Sequence, residues 1–389
     1  MARLGDICEI VSGTTPKSSH PEYWGGGINW VTPAELTDDS DIIYETQRKI
    51  TEQAVAESGL KIFPAGTVLL SSRAPIGKVA IAGIEMCCNQ GFKNLICSDV
   101  IFNKYLFYFL KRNTEYLNAL GRGATFKEIS KSIVENIEIP LPELSEQYEI
   151  VKILDKIRNL IRKLQRQQDK LDELVKSRFI EMFGDPMTNP YNLPKVILGS
   201  VLTIEPQNGL YKPQSDYVSD GTGIPILRID SFYEGKVSNL SSLKRLICSE
   251  IELKRYSLYE NDIVINRVNS IEYLGKCGLI QGLVENTVFE SNMMRLHVDE
   301  HKFHPVYITK LLCSEFIYQQ ILGRAKKAVN QASINQKDVQ SFVVYMPPIE
   351  QQDQFAAFVK QTDKSKMAVQ QSLNKLELLK KSLMQKYFD

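Results

Sequence analysis

Two stretches of this chain carry apolar residues at spacings that alternate between three and four. In the first, Ile150, Ile153, Ile157, Leu160, Leu164, Leu171 and Leu174 form a heptad seam interrupted at Gln167. In the second, Phe355, Phe358, Val369, Leu376, Leu379 and Leu383 occupy the equivalent seam, with Thr362, Ser365 and Ser372 in the remaining slots. Neither stretch has Gly or Pro in its interior, and charged residues fill the other faces, so each predicts one long helix. Elsewhere the apolar runs are short and bounded by Gly, Pro, Asn or Asp. Residues 28–31, 67–71, 226–229 and 263–266 read as strands on this pattern. Further helices are expected over about 103–120 and from Pro305 onward. They should stop at Gly121 and Gly323, each suited to the left-handed position after a helix.

These elements occur twice. Ile129, Val134, Pro142, Gln147, Leu171, Leu174, Lys176, Ser177 and Phe183 recur 205 residues later as Ile334, Val339, Pro347, Gln352, Leu376, Leu379, Lys381, Ser382 and Phe388. With a slightly different offset, Tyr105, Leu110 and Leu120-Gly121-Arg122 match Tyr307, Leu312 and Leu322-Gly323-Arg324. A period of about 200 residues is too long for a solenoid repeat. It predicts an α+β chain of two tandem strand-rich domains, 1–143 and 186–345, followed by long helices over 144–185 and 346–389. The first seam is greasiest in its N-terminal half and the second in its C-terminal half. Antiparallel pairing sets those halves together, whereas parallel pairing buries Thr362 and Ser365 against Ile157 and Leu160. An antiparallel coiled coil with pseudo-twofold symmetry follows. Duplex DNA, itself nearly twofold, suits such a molecule. A helix of this length rises about 50 Å, and a turn of duplex about 34 Å.

Composition narrows the classes. Lys and Arg total 47 against 46 Asp and Glu, a net charge of +1, which excludes a polycation but not basic loops on a neutral body. No apolar run reaches membrane length, the N-terminus lacks a signal-peptide pattern, and seven cysteines show no paired framework. A cytoplasmic protein with free thiols is expected.

Polar residues concentrate where the loops fall. In the first copy Thr14, Lys17, Arg73, Lys93 and Arg122 stand out; in the second, Lys212, Arg267, Asn269, Arg324 and Lys327. Arg, Lys, Asn and Gln reach base edges, while Ser, Thr and backbone amides hold phosphates. In any single loop, Gly, Asn and Ser also simply shape turns. Yet basic and amide residues recur at comparable places in both copies while their identities differ. Arg73 and Arg267 each end a matched strand, and Gly77-Lys78 and Gly275-Lys276 follow.

Catalytic constellations find no support. His297-Val298-Asp299-Glu300-His301, followed by His304, spells a zinc-protease signature, but it leaves a strand and meets Pro305 before any helix begins. Asn189-Pro190-Tyr191 lacks one proline of an amino-methyltransferase motif and reads as a turn. Gly25-Gly26-Gly27 lacks a strand–loop–helix context, and Glu252-Leu253-Lys254 has no placed acidic partner for a nuclease. No catalytic residue and no metal ligand is assigned. A self-contained DNA modification enzyme and a coiled-coil protein-binding scaffold remain the alternative readings.

Segments 12–16 (SGTTP), 69–81 (LLSSRAPIGKVAI), 89–94 (NQGFKN), 139–147 (IPLPELSEQ), 178–186 (RFIEMFGDP) and 381–388 (KSLMQKYF) occur in an order that resembles the specificity subunit of type I restriction–modification systems. The resemblance covers essentially the whole chain. It implies two target-recognition domains, each reading one half of a split DNA sequence, and helices that separate the halves and dock methyltransferase subunits. It also implies a restriction and translocase subunit as a further partner. S-adenosylmethionine, ATP and Mg are expected in those partners and none in this chain.

Overall fold

The computed structural model describes residues 1–389 apart from 38–40, 74, 124–126 and 238–239, and at Tyr233 only the backbone. The described residues form two compact units, 1–167 with 369–389, and 168–368. Both long helices are unbroken over 40 residues: a central helix, Leu144–Phe183, and a C-terminal helix, Ile349–Phe388.

In the first unit a five-stranded sheet runs in the order Cys8–Ser12, Lys93–Cys97, Val68–Leu70, Val79–Ala82, Ile42–Ile43. Only the last pair is parallel. A smaller sheet of Lys49–Ile50, Trp24–Val31 and Cys87–Cys88 ends in another parallel pair. Val68, Leu69, Leu70 and Val79 to Ala82 are all buried, which explains why these runs are continuously apolar and do not alternate.

The second unit repeats this order with Leu202–Asn208, Met293–Val298, Ile263–Asn266, Cys277–Leu279 and Gly235–Val237, then adds Phe232–Tyr233 at the edge. Its smaller sheet contains the parallel pair Ile224–Leu227 and Val288–Phe289. The strand expected at 226–229 thus lies two residues earlier.

The helices expected over 103–120 and after Pro305 are each two. Asn103–Arg112 and Thr114–Leu120 meet at Asn113, whose side-chain amide donates to Phe109 O at 2.9 Å and competes with the helical ladder. Pro305–Leu312 and Glu315–Leu322 meet similarly. Gly121 and Gly323 do follow helices, but at φ −61° and −69°, so neither takes the expected left-handed conformation. At Gly121 the constraint is space, because a Cβ there would lie 2.7 Å from Ile76 Cδ1.

Within each unit the early part of one long helix meets the late part of the other. In the first, Ile150, Val151 and Leu154 share a core with Met384 and Phe388, and the Phe388 ring lies 5.1 Å from Tyr105. In the second, Val175, Phe179 and Phe183 share a core with Phe355 and Val359, and the Phe183 ring lies 4.6 Å from Tyr307. Lys366 and Asp172 form an ion pair between the helices of that unit. The pairing is antiparallel, as the distribution of apolar residues predicts.

Four residues of the expected seam need correction. Ile150, Ile157, Leu164 and Leu171 face inward, but Ile153, Leu160 and Leu174 are exposed, and Leu154, Ile161 and Val175 take their place. Leu174 is 47% exposed and Val175 5%. On the C-terminal helix Phe355, Val369, Leu376 and Leu383 are buried or half-buried and Phe358 packs at the margin of the core. Leu379 is exposed, and Leu373 and Lys366 fill slots assigned to Ser372 and Ser365. The cause is a buried glutamine. Gln147 Oε1 accepts from Phe102 N at 2.8 Å, and its Nε2 donates to Val100 O and Pro142 O at 3.0 and 2.9 Å. Counting sevens from Gln147 gives Leu154, Ile161, Gln168 and Val175. Gln352 does the same for the second helix, accepting from His304 N at 2.9 Å and donating to Lys302 O and Pro347 O at 3.0 and 2.8 Å.

Candidate nucleic-acid interface

The sheet ends carry the loops, and two close approaches of backbone hold those loops in place. Gly13 lies against the end of strand Cys87–Cys88, where Thr14 N donates to Cys88 O at 3.1 Å. A Cβ on Gly13 would stand 2.0 Å from Cys88 O. Gly209 repeats this: Leu210 N donates to Phe289 O at 2.8 Å, and a Cβ would stand 2.2 Å from Glu290 O. Both positions exclude every side chain.

In the first unit four of the predicted loops converge on Gln90 and Glu128. Thr15 Oγ1 donates to Gln90 Oε1, and Arg73 Nη2 donates to Gln90 O at 3.2 Å. The carboxylate of Glu128 lies 3.5 Å from Arg73 Nη2 and 3.1 Å from Lys93 Nζ. Arg122 and Glu128 exchange backbone hydrogen bonds of 3.0 and 2.9 Å. Thr14, Lys17 and Arg122 are exposed, and Arg73 is half-buried. Lys93, with its side chain 10% exposed, is committed to Glu128. Ala124 and Thr125 of the Arg122 loop lie outside the described residues.

In the second unit three of the predicted residues come together. Arg267 Nη1 donates to Ser291 O at 3.0 Å, and Arg267 O accepts from Ile334 N at 3.0 Å. Val268–Asn269 then forms a three-stranded sheet with Ala332–Ser333 and Lys326–Lys327. Lys327 is exposed in that sheet, and Asn269 is half-buried. Two others are placed apart. Lys212 is tied to Glu252 and Asp216 at 3.0 and 3.5 Å, and the hydrogen bond it donates to Glu252 holds it above the usual lysine range. Arg324 spends its guanidinium on Ser341 Oγ and Gln320 O, both at 2.9 Å, and lies over the Phe342 ring.

Hydrogen bonds align the copies more finely than sequence. Ile129 N donates to Ser72 O just as Ile334 N donates to Arg267 O, and Ser72 N and Arg267 N donate to Gly91 O and Asn292 O. Arg267 therefore matches Ser72, while Arg73 matches Val268, and Glu128 matches Ser333. Two residues escaped sequence reasoning. Glu128 is a lone acid among basic loops, and Lys326 stands where Arg122 stands in the first copy. The fourfold pattern of bonds that reveals both spans more than 50 residues.

The three histidines of the zinc-protease-like segment do not share a helix. His297 lies within strand Met293–Val298, with Nδ1 3.0 Å from Asp262 and Nε2 3.2 Å from Glu300. The His304 ring accepts from Val306 N at 3.1 Å and caps the next helix. Asn189 sits in a left-handed turn, as the missing proline suggests.

A family model for the type I restriction modification DNA specificity domain matches residues 1–173 and 192–378. The chain is 32% identical over 375 residues to the type I restriction enzyme MjaIX specificity subunit of Methanocaldococcus jannaschii, covering 89% of this chain and 82% of that one. It is 26% identical over 376 residues to the EcoKI specificity subunit of Escherichia coli strain K12, covering 90% and 78%. In fold it is similar to the S subunit of a type I restriction–modification system from M. genitalium. That match has a TM-score of 0.58 and 14% identity and covers 100% of this chain and 95% of the other.

Proposed function

We propose a division of labour from one premise: this chain belongs to the type I restriction–modification DNA specificity family. It is a specificity subunit, whose part is to recognise DNA and not to catalyse. Each unit reads one half of a split target, and the continuous long helices set the number of base pairs between the halves. The observation that supports this most directly is the scaffold built twice by matched hydrogen bonds, Gly13 against Cys88 and Gly209 against Phe289, beneath loops whose side chains differ. Two readers of two different sequences need that combination.

Methyltransferase subunits that use S-adenosylmethionine, and an ATP- and Mg-dependent restriction and translocase subunit, are the proposed partners, with the complex in the cytoplasm. Docking faces for the methyltransferase follow from the corrected seam. In the first unit Ile153, Leu160 and Leu379 are exposed on the long helices; in the second, Leu174 and Ile180 are. Leu174 and Leu379 are repeat-related, so each unit offers one such face, and two methyltransferase copies are expected. No helix among the described residues is long and apolar enough to cross a membrane.

Selection from random duplexes at moderate salt, where phosphate-only binding has faded, tests the reading. Two short preferred motifs separated by a fixed unspecified gap are expected. Four extra residues in both helices should alter the gap and leave the motifs unchanged. A single continuous motif, or methyl transfer by this chain alone, overturns the proposal.

A further inference from the structure

The β-hairpin of the second unit carries an unspent feature. Lys326 pairs with Ser333 and Lys327 with Ala332, and Ala328 N donates to Gln331 O at 2.7 Å, which leaves Val329 and Asn330 as a two-residue turn. Val329 is 99% exposed. An aliphatic side chain wholly in water at the tip of a ribbon contributes nothing to folding. The turn has no need of it either, since Gly, Asn and Asp are the usual residues in such tight hairpins.

Charge says what approaches this tip. The three strands of its sheet contain no carboxylate, and Lys326 and Lys327 have no ion-pair partner among the described residues. Asn330 and Gln331, both exposed, add amides that suit adenine. A polyanion edged with apolar groups fits that surface, and duplex DNA is one. The major groove is wide enough to admit a two-stranded ribbon, and the apolar groups exposed there are thymine methyls.

We propose that Val329 is a specificity residue: the hairpin enters the major groove of the second half-site, and the valine methyls meet the 5-methyl group of one thymine. This rests on the recognition function proposed above and names one contact within it. Lys326 and Lys327 then hold phosphates, and Asn330 and Gln331 flank the contact.

The test replaces thymines of the selected second half-site by deoxyuridine one at a time, which removes a methyl group and leaves base pairing intact. The full-length chain is compared with Val329→Ala, whose melting temperature should be unchanged because the side chain is in water. Wild type should lose about fourfold in affinity at one thymine, the worth of burying one methyl group, and Val329→Ala should show no loss there. Lys326→Ala with Lys327→Ala should weaken binding to every sequence alike. If all deoxyuridine replacements are neutral in wild type, if the penalty persists in Val329→Ala, or if the half-site holds no thymine, the contact does not exist. A chain with no preferred sequence at all would sink the recognition function itself, and this contact with it.

Discussion

In the first unit the carboxylate of Glu128 faces Arg73 and Lys93 from the strand position that Ser333 occupies in the second. Around that difference the two scaffolds agree almost bond for bond. The first unit therefore holds two of its loop cations, Arg73 and Lys93, against an acid of its own, while the hairpin lysines of the second have no ion-pair partner among the described residues. The helix contacts diverge in the same way. Asp41 pairs with Arg158 and Arg162 at 2.6 Å in the first unit, whereas Lys236 pairs with Asp363 in the second, with the signs reversed at the repeat-related helix position. Backbone geometry is what duplication preserved, and charge is what was free to change. That is reasonable physically, because a ladder hydrogen bond fixes backbone position whatever the side chains, while an ion pair can be kept with its signs exchanged.

The sharpest way to break the agreement is at the shared glycines. Gly13→Ala and Gly209→Ala should each destabilise their own unit by about 3 kcal/mol, since each Cβ meets backbone that has nowhere to go. Two denaturation transitions that respond separately would show it, and a tolerated alanine at either site would dissolve the claimed equivalence. The reversed ion pairs should differ in cost. Asp41→Ala leaves Arg158, whose side chain is only 16% exposed, with the longer 3.8 Å contact to Asp155 in place of its 2.6 Å pair, and should cost about 2–3 kcal/mol. Lys236→Ala removes an exposed partner and should cost less than about 1 kcal/mol. Equal values in chemical denaturation would refute that distinction.

Charge exchange tests the loops. Glu128→Gln should steepen the salt dependence of DNA binding by about one unit of log–log slope, as one more cation becomes free for phosphate. Ser333→Glu should flatten it by a similar amount. An unchanged slope in both variants would mean that these cations never face phosphate. The smallest effect concerns the helices. Leu174→Ser and Leu379→Ser should leave the melting transition of the isolated chain within about 0.5 kcal/mol, because both side chains are exposed. Their effect should appear instead as weakened assembly with methyltransferase subunits. Marked destabilisation of the free chain would return these leucines to the seam.

Much of this molecule was legible without coordinates, because its strongest signals are periodic or repeated. The 205-residue recurrence, the two unbroken helices and their antiparallel sense follow from spacing alone, since a helix declares itself every three or four residues. The sheet order did not, because strands distant in the chain, such as Cys8–Ser12 and Lys93–Cys97, pair through backbone groups that every residue possesses. At the adjacent apolar pairs Ile153-Leu154 and Leu174-Val175 the spacing reading takes the wrong member, and the docking of Gln147 and Gln352 against the domains is what turns the other inward. Residue type likewise marked Lys93, Lys212 and Arg324 as candidates. Whether a cation is free or already held depends on acids and carbonyls brought from far along the chain, and that is decided by tertiary structure.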